Sequence, residues 1–163
     1  MLNCGGNDMI TLKLAKPENA KELGELFYSC LLENYPETIS EYSLKSCTDY
    51  FRRRRCADTV MGIYDSKVVG FCTYGQSDDE FMKDSGEINY LFVLKDYQRH
   101  GDGRRILHEA VRKLIRQEYN QVICWVDSRN EEGRGFYEAL GFRPSEFERT
   151  ENGITWVRYF KSI

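Results

Sequence analysis

Apolar residues along this chain switch between a spacing of two and a spacing near 3.6, and each switch marks an element. "MITLKLA" alternates and predicts a strand over 10–15. Ala20, Leu23, Phe27, Cys30 and Leu31 then recur at helical spacing, with Pro17 suited to a first helical position, and predict a helix over 18–34. "YPETIS" breaks it, and Tyr42, Leu44, Cys47, Tyr50 and Phe51 predict a second helix over 41–55. "TVMGIY" and "VVGFCTYG", separated by Asp65, Ser66 and Lys67, read as a hairpin. "EINYLFVL" predicts a strand over 87–94, after an acidic loop. Ile106, Leu107, Ala110, Val111, Leu114 and Ile115 form the stripe of a helix over 103–119, and "QVICWV" is the continuous apolar run of a central strand. Asn130 suits the N-cap of a helix ending near Leu140, with Gly141 as its stop. Two closing strands, 142–149 and 154–160, turn at Glu151-Asn152-Gly153. The order β-α-α-β-β-β-α-β-α-β-β makes a single α/β domain over 9–163, with 1–8 as a flexible N-terminal extension.

Composition narrows the function classes. With 163 residues, 41% hydrophobic and 30% charged, the chain suits one globular domain with a proper core. A net charge of −3 argues against a general nucleic-acid partner. No apolar run approaches the ~20 residues of a membrane span, so no membrane partner is expected. "MLNCGGND" lacks the order of a secretion signal, which leaves a cytoplasmic location. The six cysteines form no C-x-x-C pair and read as reduced, structural thiols; with only two histidines, no metal site is expected. The run Arg52 to Arg55 reads as a solvated helix end, with a nucleic-acid or anionic-partner patch as its rival.

The candidate chemistry begins at "YQRHGDGRRIL", where two glycines one residue apart join a strand to a helix. Glycine there serves either a tight turn or an anion cradle, because the first N–H groups of a helix lack intrahelical partners and attract negative charge. No third glycine completes G-x-G-x-x-G and no P-loop is present, which disfavours a dinucleotide fold. After the next strand, "VDSRNEEGRGFYEALGF" presents Asn130 and Tyr137 near one helix.

Together these stretches resemble motifs A and B of the GNAT acetyltransferase superfamily. The core of motif A is Gln98-Arg99-His100-Gly101-Asp102-Gly103, and Asn130, Phe136, Tyr137, Gly141 and Phe142 stand at the spacing of motif B. The resemblance implies a central mixed, mostly antiparallel sheet flanked by helices, with two strands splayed at a cofactor slot. It implies acetyl-CoA as cosubstrate and a small-molecule or peptide amine as acceptor, and it leaves a homodimer open. Backbone amides of Arg99, His100, Gly101, Asp102, Gly103 and Arg104, beside Gln98, would take the pyrophosphate. The pantetheine arm would lie along Leu91, Phe92 and Val93, and Asn130 would cap its helix and touch the cofactor. Tyr137 matches the family tyrosine that protonates the departing thiolate, or packs beside Phe136. Glu87 matches a glutamate base of some relatives; a solvated acid and a water relay are the other readings. Alternation puts Glu87 on one face with Asn89, Leu91 and Val93.

Departures from the family pattern are Arg99, Asp102, Gly133 and Gly135. Asp102 should weaken diphosphate binding unless it turns away or pairs with Arg99, Arg104 or Arg105. Glu33, Glu37, Glu41, Asp78, Asp79, Glu80, Glu146 and Glu148 fall where the family builds its acceptor cleft, and an acidic rim would attract a cationic amine. Tyr28, Tyr35, Tyr42 and Tyr74 are candidates for its walls, or equally for the edge of the core. A non-catalytic acyl-CoA-binding regulatory module is the alternative function.

Overall fold

A computed structural model describes residues 9–53 and 58–163. The extension 1–8 and the residues Arg54, Arg55 and Cys56 lie outside the described residues. Seven strands form one sheet: β1 (Thr11–Leu14), β2 (Thr59–Tyr64), β3 (Lys67–Gln76), β4 (Gly86–Val93), β5 (Gln121–Asp127), β6 (Arg143–Glu151) and β7 (Ile154–Ser162). Their order across the sheet is β1-β2-β3-β4-β5-β7-β6. Every neighbouring pair is antiparallel except β4 with β5.

Among the described residues, four α-helices cover the two faces. Helices α1 (Ala20–Asn34) and α2 (Leu44–Arg53) bury Leu23, Phe27, Cys47 and Phe51 with Phe71 and Met61 of the sheet. On the opposite face, α3 (Asp102–Arg116) buries Ile106, Leu107, Ala110 and Leu114 against Val69, Cys72, Val122 and Cys124. Phe136 and Tyr137 of α4 (Glu131–Ala139) join that second cluster. Among the described residues no helix is long and apolar enough to cross a membrane.

Local chemistry explains where the boundaries differ from the sequence pattern. The second helix starts at Leu44, because Ser43 and Ser46 cap reciprocally: Ser46 N–H donates to Ser43 Oγ at 3.0 Å and Ser43 N–H to Ser46 Oγ at 2.8 Å. Residues Pro36–Glu41 instead form a 3-10 helix. Helix α3 stops at Arg116, since Glu118 takes the left-handed conformation (φ 67°) and Tyr119 N–H returns to the Leu114 carbonyl at 3.2 Å. The first hairpin turns in two residues, Asp65 and Ser66, both at positive φ, with Lys67 already paired to Tyr64.

Two irregularities in the sheet shape the region around Glu87. The β3–β4 register steps over Asn89, pairing Thr73 with Tyr90 and Tyr74 with Ile88. This bulge corrects the expected alternation. Glu87, opposite Gly75, shares a face with Tyr90 and Phe92, whereas Leu91 and Val93 pack into the α3 core with Ile88. The second irregularity is that β4 and β5 pair only at Gly86–Val122, Glu87–Ile123 and Ile88–Cys124 and then diverge. The expected splay is therefore present.

Candidate functional site

A cleft of about 1160 Å³ opens where β4 and β5 part. Leu91, Phe92 and Val93 form one wall, Trp125, Val126 and Asp127 the other, and the start of α3 and the inner side of α4 close the end. The Gln98 amide donates to the Val93 carbonyl at 2.8 Å, which fastens the loop to the strand before it.

The loop has the geometry of an anion cradle. Arg99 and Gly101 both take positive φ, 67° and 82°, turning the chain so that Gly101 becomes the N-cap of α3. No side chain caps this helix start. Its first carbonyl bond is Arg105 N–H to Gly101 at 3.1 Å, so the N–H groups of Asp102, Gly103 and Arg104 precede the intrahelical ladder. A Cβ on Gly103 would meet Val93 and Phe136 only at 3.7 and 3.8 Å, which is ordinary contact. Packing does not demand glycine there, and the bare Cα leaves the backbone uncovered where it lines the cleft.

Gln98, Arg99, Gly101, Gly103 and Arg104 line the cleft, whereas His100 and Asp102 stand outside its lining. The Asp102 carboxylate is buried and lies 3.5 Å from Arg105 Nη1, which also donates to the Ile10 carbonyl at 3.0 Å. That pairing satisfies the condition under which this acid is harmless to a diphosphate. Arg99 reaches across the cleft mouth to Glu132 on α4 at 3.1 Å. Asn130 caps α4 through its Oδ1, which accepts from Gly133 N–H at 2.8 Å, and it lines the cleft as well. Gly133 has a local reason, because a Cβ there would meet the Asn130 side chain at 2.5 Å.

Glu87 is 6% exposed at the floor of the cleft, where the strands separate. The Ser77 hydroxyl donates to its Oε2 at 2.9 Å and Asp78 N–H at 3.3 Å. Burial raises its carboxyl above the usual range, and those two donors restrain the rise. Asp79 N–H in turn donates to Ser77 Oγ at 3.1 Å, and Arg158 holds Asp79 Oδ2 at 2.7 Å with both side chains under a tenth exposed. Burial would push Asp79 upward, yet Arg158 and Phe81 N–H bring it below the ordinary carboxylate value. Asp79→Ala removes one partner of a buried pair, at a cost of about 3–5 kcal/mol. For a chain of this length that predicts a melting temperature lower by roughly 6–20 °C in calorimetry.

Tyr137 lines the same cleft, its ring set edge-on to Phe136 and Phe142 at 5.3 Å each. Burial foremost, then the neighbouring Cys124, Cys72 and Tyr35, drives its phenol well above its ordinary value. It therefore stays protonated and is a hydrogen-bond donor throughout the physiological range.

Beyond Glu87 the cleft continues under α1 and α2, and this half departs from the expected rim. Asp78 and Glu87 line it, as do Tyr35 and Tyr42. Glu37 pairs with Arg129 at 3.2 Å, Glu41 accepts from Asn152 at 2.6 Å, and Asp79 is held by Arg158. Glu33, Glu80, Glu146 and Glu148 do not line the cleft, and Tyr74 is a core residue at 2% exposure. Tyr28 packs against the α1–α2 core. The lining also includes Tyr50, Tyr90, Trp125, Arg149, Glu151 and Trp156, which the sequence pattern did not single out. Alternation on β5 could have exposed Trp125, since Val122, Cys124 and Val126 take the core face. Trp156 and Arg149 become visible only through register: Asp127 pairs with Trp156, and Trp156 with Arg149.

Comparison with known proteins gives a consistent family. The acetyltransferase (GNAT) family model matches residues 20–142. The chain is 25% identical over 132 residues to an uncharacterized N-acetyltransferase, YuaI, of Bacillus subtilis, covering 75% of this chain and 74% of that protein. In fold it is similar to the ribosomal-protein-alanine N-acetyltransferase of Brucella melitensis, with TM-score 0.77 at 16% identity, covering 94% and 99% of the two chains. It is also similar to the PaiA N-acetyltransferase of Thermoplasma acidophilum solved with coenzyme A, with TM-score 0.70 at 17% identity over 94% and 99%.

Proposed function

The chain belongs to the acetyltransferase (GNAT) family and is an acetyl-CoA-dependent N-acetyltransferase; on that premise we propose which of its residues do the work. The backbone from Arg99 to Arg104 receives the diphosphate, and the β4 edge at Leu91, Phe92 and Val93 takes the amide-bearing arm in the manner of an added strand. Bound acetyl-CoA supplies the thioester as acyl donor. Glu87 takes the first proton from the incoming ammonium and passes it to solvent. Tyr137 donates a hydrogen bond to the sulfur as negative charge collects there. Because its phenol is held above an ordinary thiol, it steadies that charge rather than surrendering its proton. The second proton shed by the amine nitrogen ends on the sulfur, which balances the exchange of C–S for C–N.

The observation that carries this reading is the uncapped start of α3 opening onto the fork between β4 and β5. Calorimetry with CoA, followed by thiol release across a panel of amines, tests it. Gly103→Ala separates ligand from fold. Alanine improves helix propensity by up to ~1 kcal/mol, so stability should hold or rise. CoA affinity should fall about tenfold, equivalent to ~1.4 kcal/mol. Unchanged affinity would remove the cradle from the reading.

A cytosolic location belongs to the same proposal. It is supported by the free, buried thiols of Cys30, Cys47, Cys72 and Cys124. Burial, reinforced by Glu33, pushes Cys30 up to about 12, which suits a packing role.

A further inference from the structure

The acceptor half of the cleft is strapped, and the strap and its walls together define what fits. Residues 35–42 cross from α1 to the start of α2 and are tied near both ends to the far side of the sheet. Near one end Arg129 Nη2 meets Glu37 Oε1 at 3.2 Å while also holding Asp127 at 2.9 Å. At the other, Asn152 in the β6–β7 turn donates to Glu41 Oε2 at 2.6 Å. At the head of the strap the rings of Tyr35 and Trp156 lie 5.8 Å apart. A side chain on a folded protein surface would have to displace these ties. A thin flexible chain can pass beneath them.

The walls select charge. Strand register puts Glu87, Trp125, Trp156, Arg149 and Glu151 on the face of the sheet that looks toward α1 and α2. Tyr35, Thr38, Tyr42 and Tyr50 face them from the strap and helices. Among the described residues lining this half, Arg149 is the one cation, and it is engaged: its guanidinium sits 4.3 Å over the Trp125 ring and its Nε lies 3.5 Å from Glu151. Asp127 is matched by Arg129. Glu87 adds its carboxylate to the same walls. Aromatic faces and carboxylates both favour ammonium groups. An amino-acid carboxylate would have to take Arg149 from Glu151.

Resting on the transferase assignment and on Glu87 as its base, we propose that the acceptor is a slender, linear alkylamine carrying at least one additional positive charge, a di- or polyamine that enters lengthwise beneath residues 35–42. Its reacting nitrogen goes to Glu87 and its distal ammonium lies among the tyrosines and tryptophans.

The test is steady-state thiol release at saturating acetyl-CoA. The acceptors are a linear triamine, an n-alkyl monoamine of equal length, an aminoglycoside and a short peptide with a free N-terminus. The triamine should exceed the monoamine in kcat/KM by about tenfold or more, with the advantage shrinking as salt rises. The aminoglycoside and peptide should be poorer still. The double variant Glu41→Ala with Asn152→Ala should narrow the triamine-to-aminoglycoside ratio several-fold by opening the strap. Equal use of triamine and monoamine, or preference for the peptide or the aminoglycoside, overturns the proposal while CoA binding and turnover leave the transferase reading intact. Failure to bind CoA in calorimetry would overturn that reading and this proposal with it.

Discussion

Glu87→Gln should lower kcat/KM by about 10²–10⁴-fold and at the same time make the protein harder to melt at neutral pH. The two effects share one origin. Glu87 is buried, and burial lifts its carboxyl above the ordinary range. For an acid whose folded value is raised, the stabilising contribution is complete below the unfolded value and is lost as pH climbs through the folded one. At neutral pH the wild type therefore carries an ionised, desolvated carboxylate without that contribution. Glutamine keeps the shape and can still accept from Ser77 without a charge to desolvate. The gain in melting temperature should be small at pH 4, grow as pH rises, and level off once Glu87 has ionised. The wild-type pH–rate profile should show an acid limb displaced upward from a free glutamate, and the variant should lack it. A variant as active as the parent across that range would hand the proton to a water relay instead.

Tyr137→Phe carries the second large expectation. Losing the donor to the developing thiolate should reduce kcat about 10²-fold, the scale seen when one preorganised donor is removed. CoA affinity should stay within about twofold, and the fold should be undisturbed, because the edge-on packing with Phe136 and Phe142 needs only the ring. Rapid-quench turnover beside CoA calorimetry separates the two quantities. An intact kcat would return Tyr137 to a packing role beside Phe136 and Phe142.

The sequence pattern disclosed those parts of the protein whose rules are local. The apolar stripe from Ile106 to Leu114 builds α3, the run "QVICWV" builds β5, and Asn130 with Gly141 bounds α4. The Gly101–Gly103 turn was legible because left-handed geometry and a bare Cα are properties of single residues. What stayed hidden depends on pairing between distant segments. The step over Asn89 cannot be seen in an alternating strand, and it decides which face Glu87 occupies. Arg149 and Trp156 reach the cleft only because β7 lies beside β5, and Glu41 is claimed by an asparagine 111 positions away. The Ser43–Ser46 cap was readable in principle, yet its neighbours Tyr42 and Leu44 continue the apolar rhythm and mask it.

The seam between β4 and β5 is also where the sheet is most thinly joined. Four strands on one side and three on the other share a spine of three rungs, at Gly86–Val122, Glu87–Ile123 and Ile88–Cys124. Load that an ordinary ladder spreads over its length is concentrated there, so the two leaves have a natural line of parting. On the reading proposed above, a donor laid into the fork would act as a borrowed strand joining them. The endurance of the folded chain would thereby be tied to how much donor surrounds it, since a ligand held only by the native state deepens that state in proportion to the logarithm of its concentration.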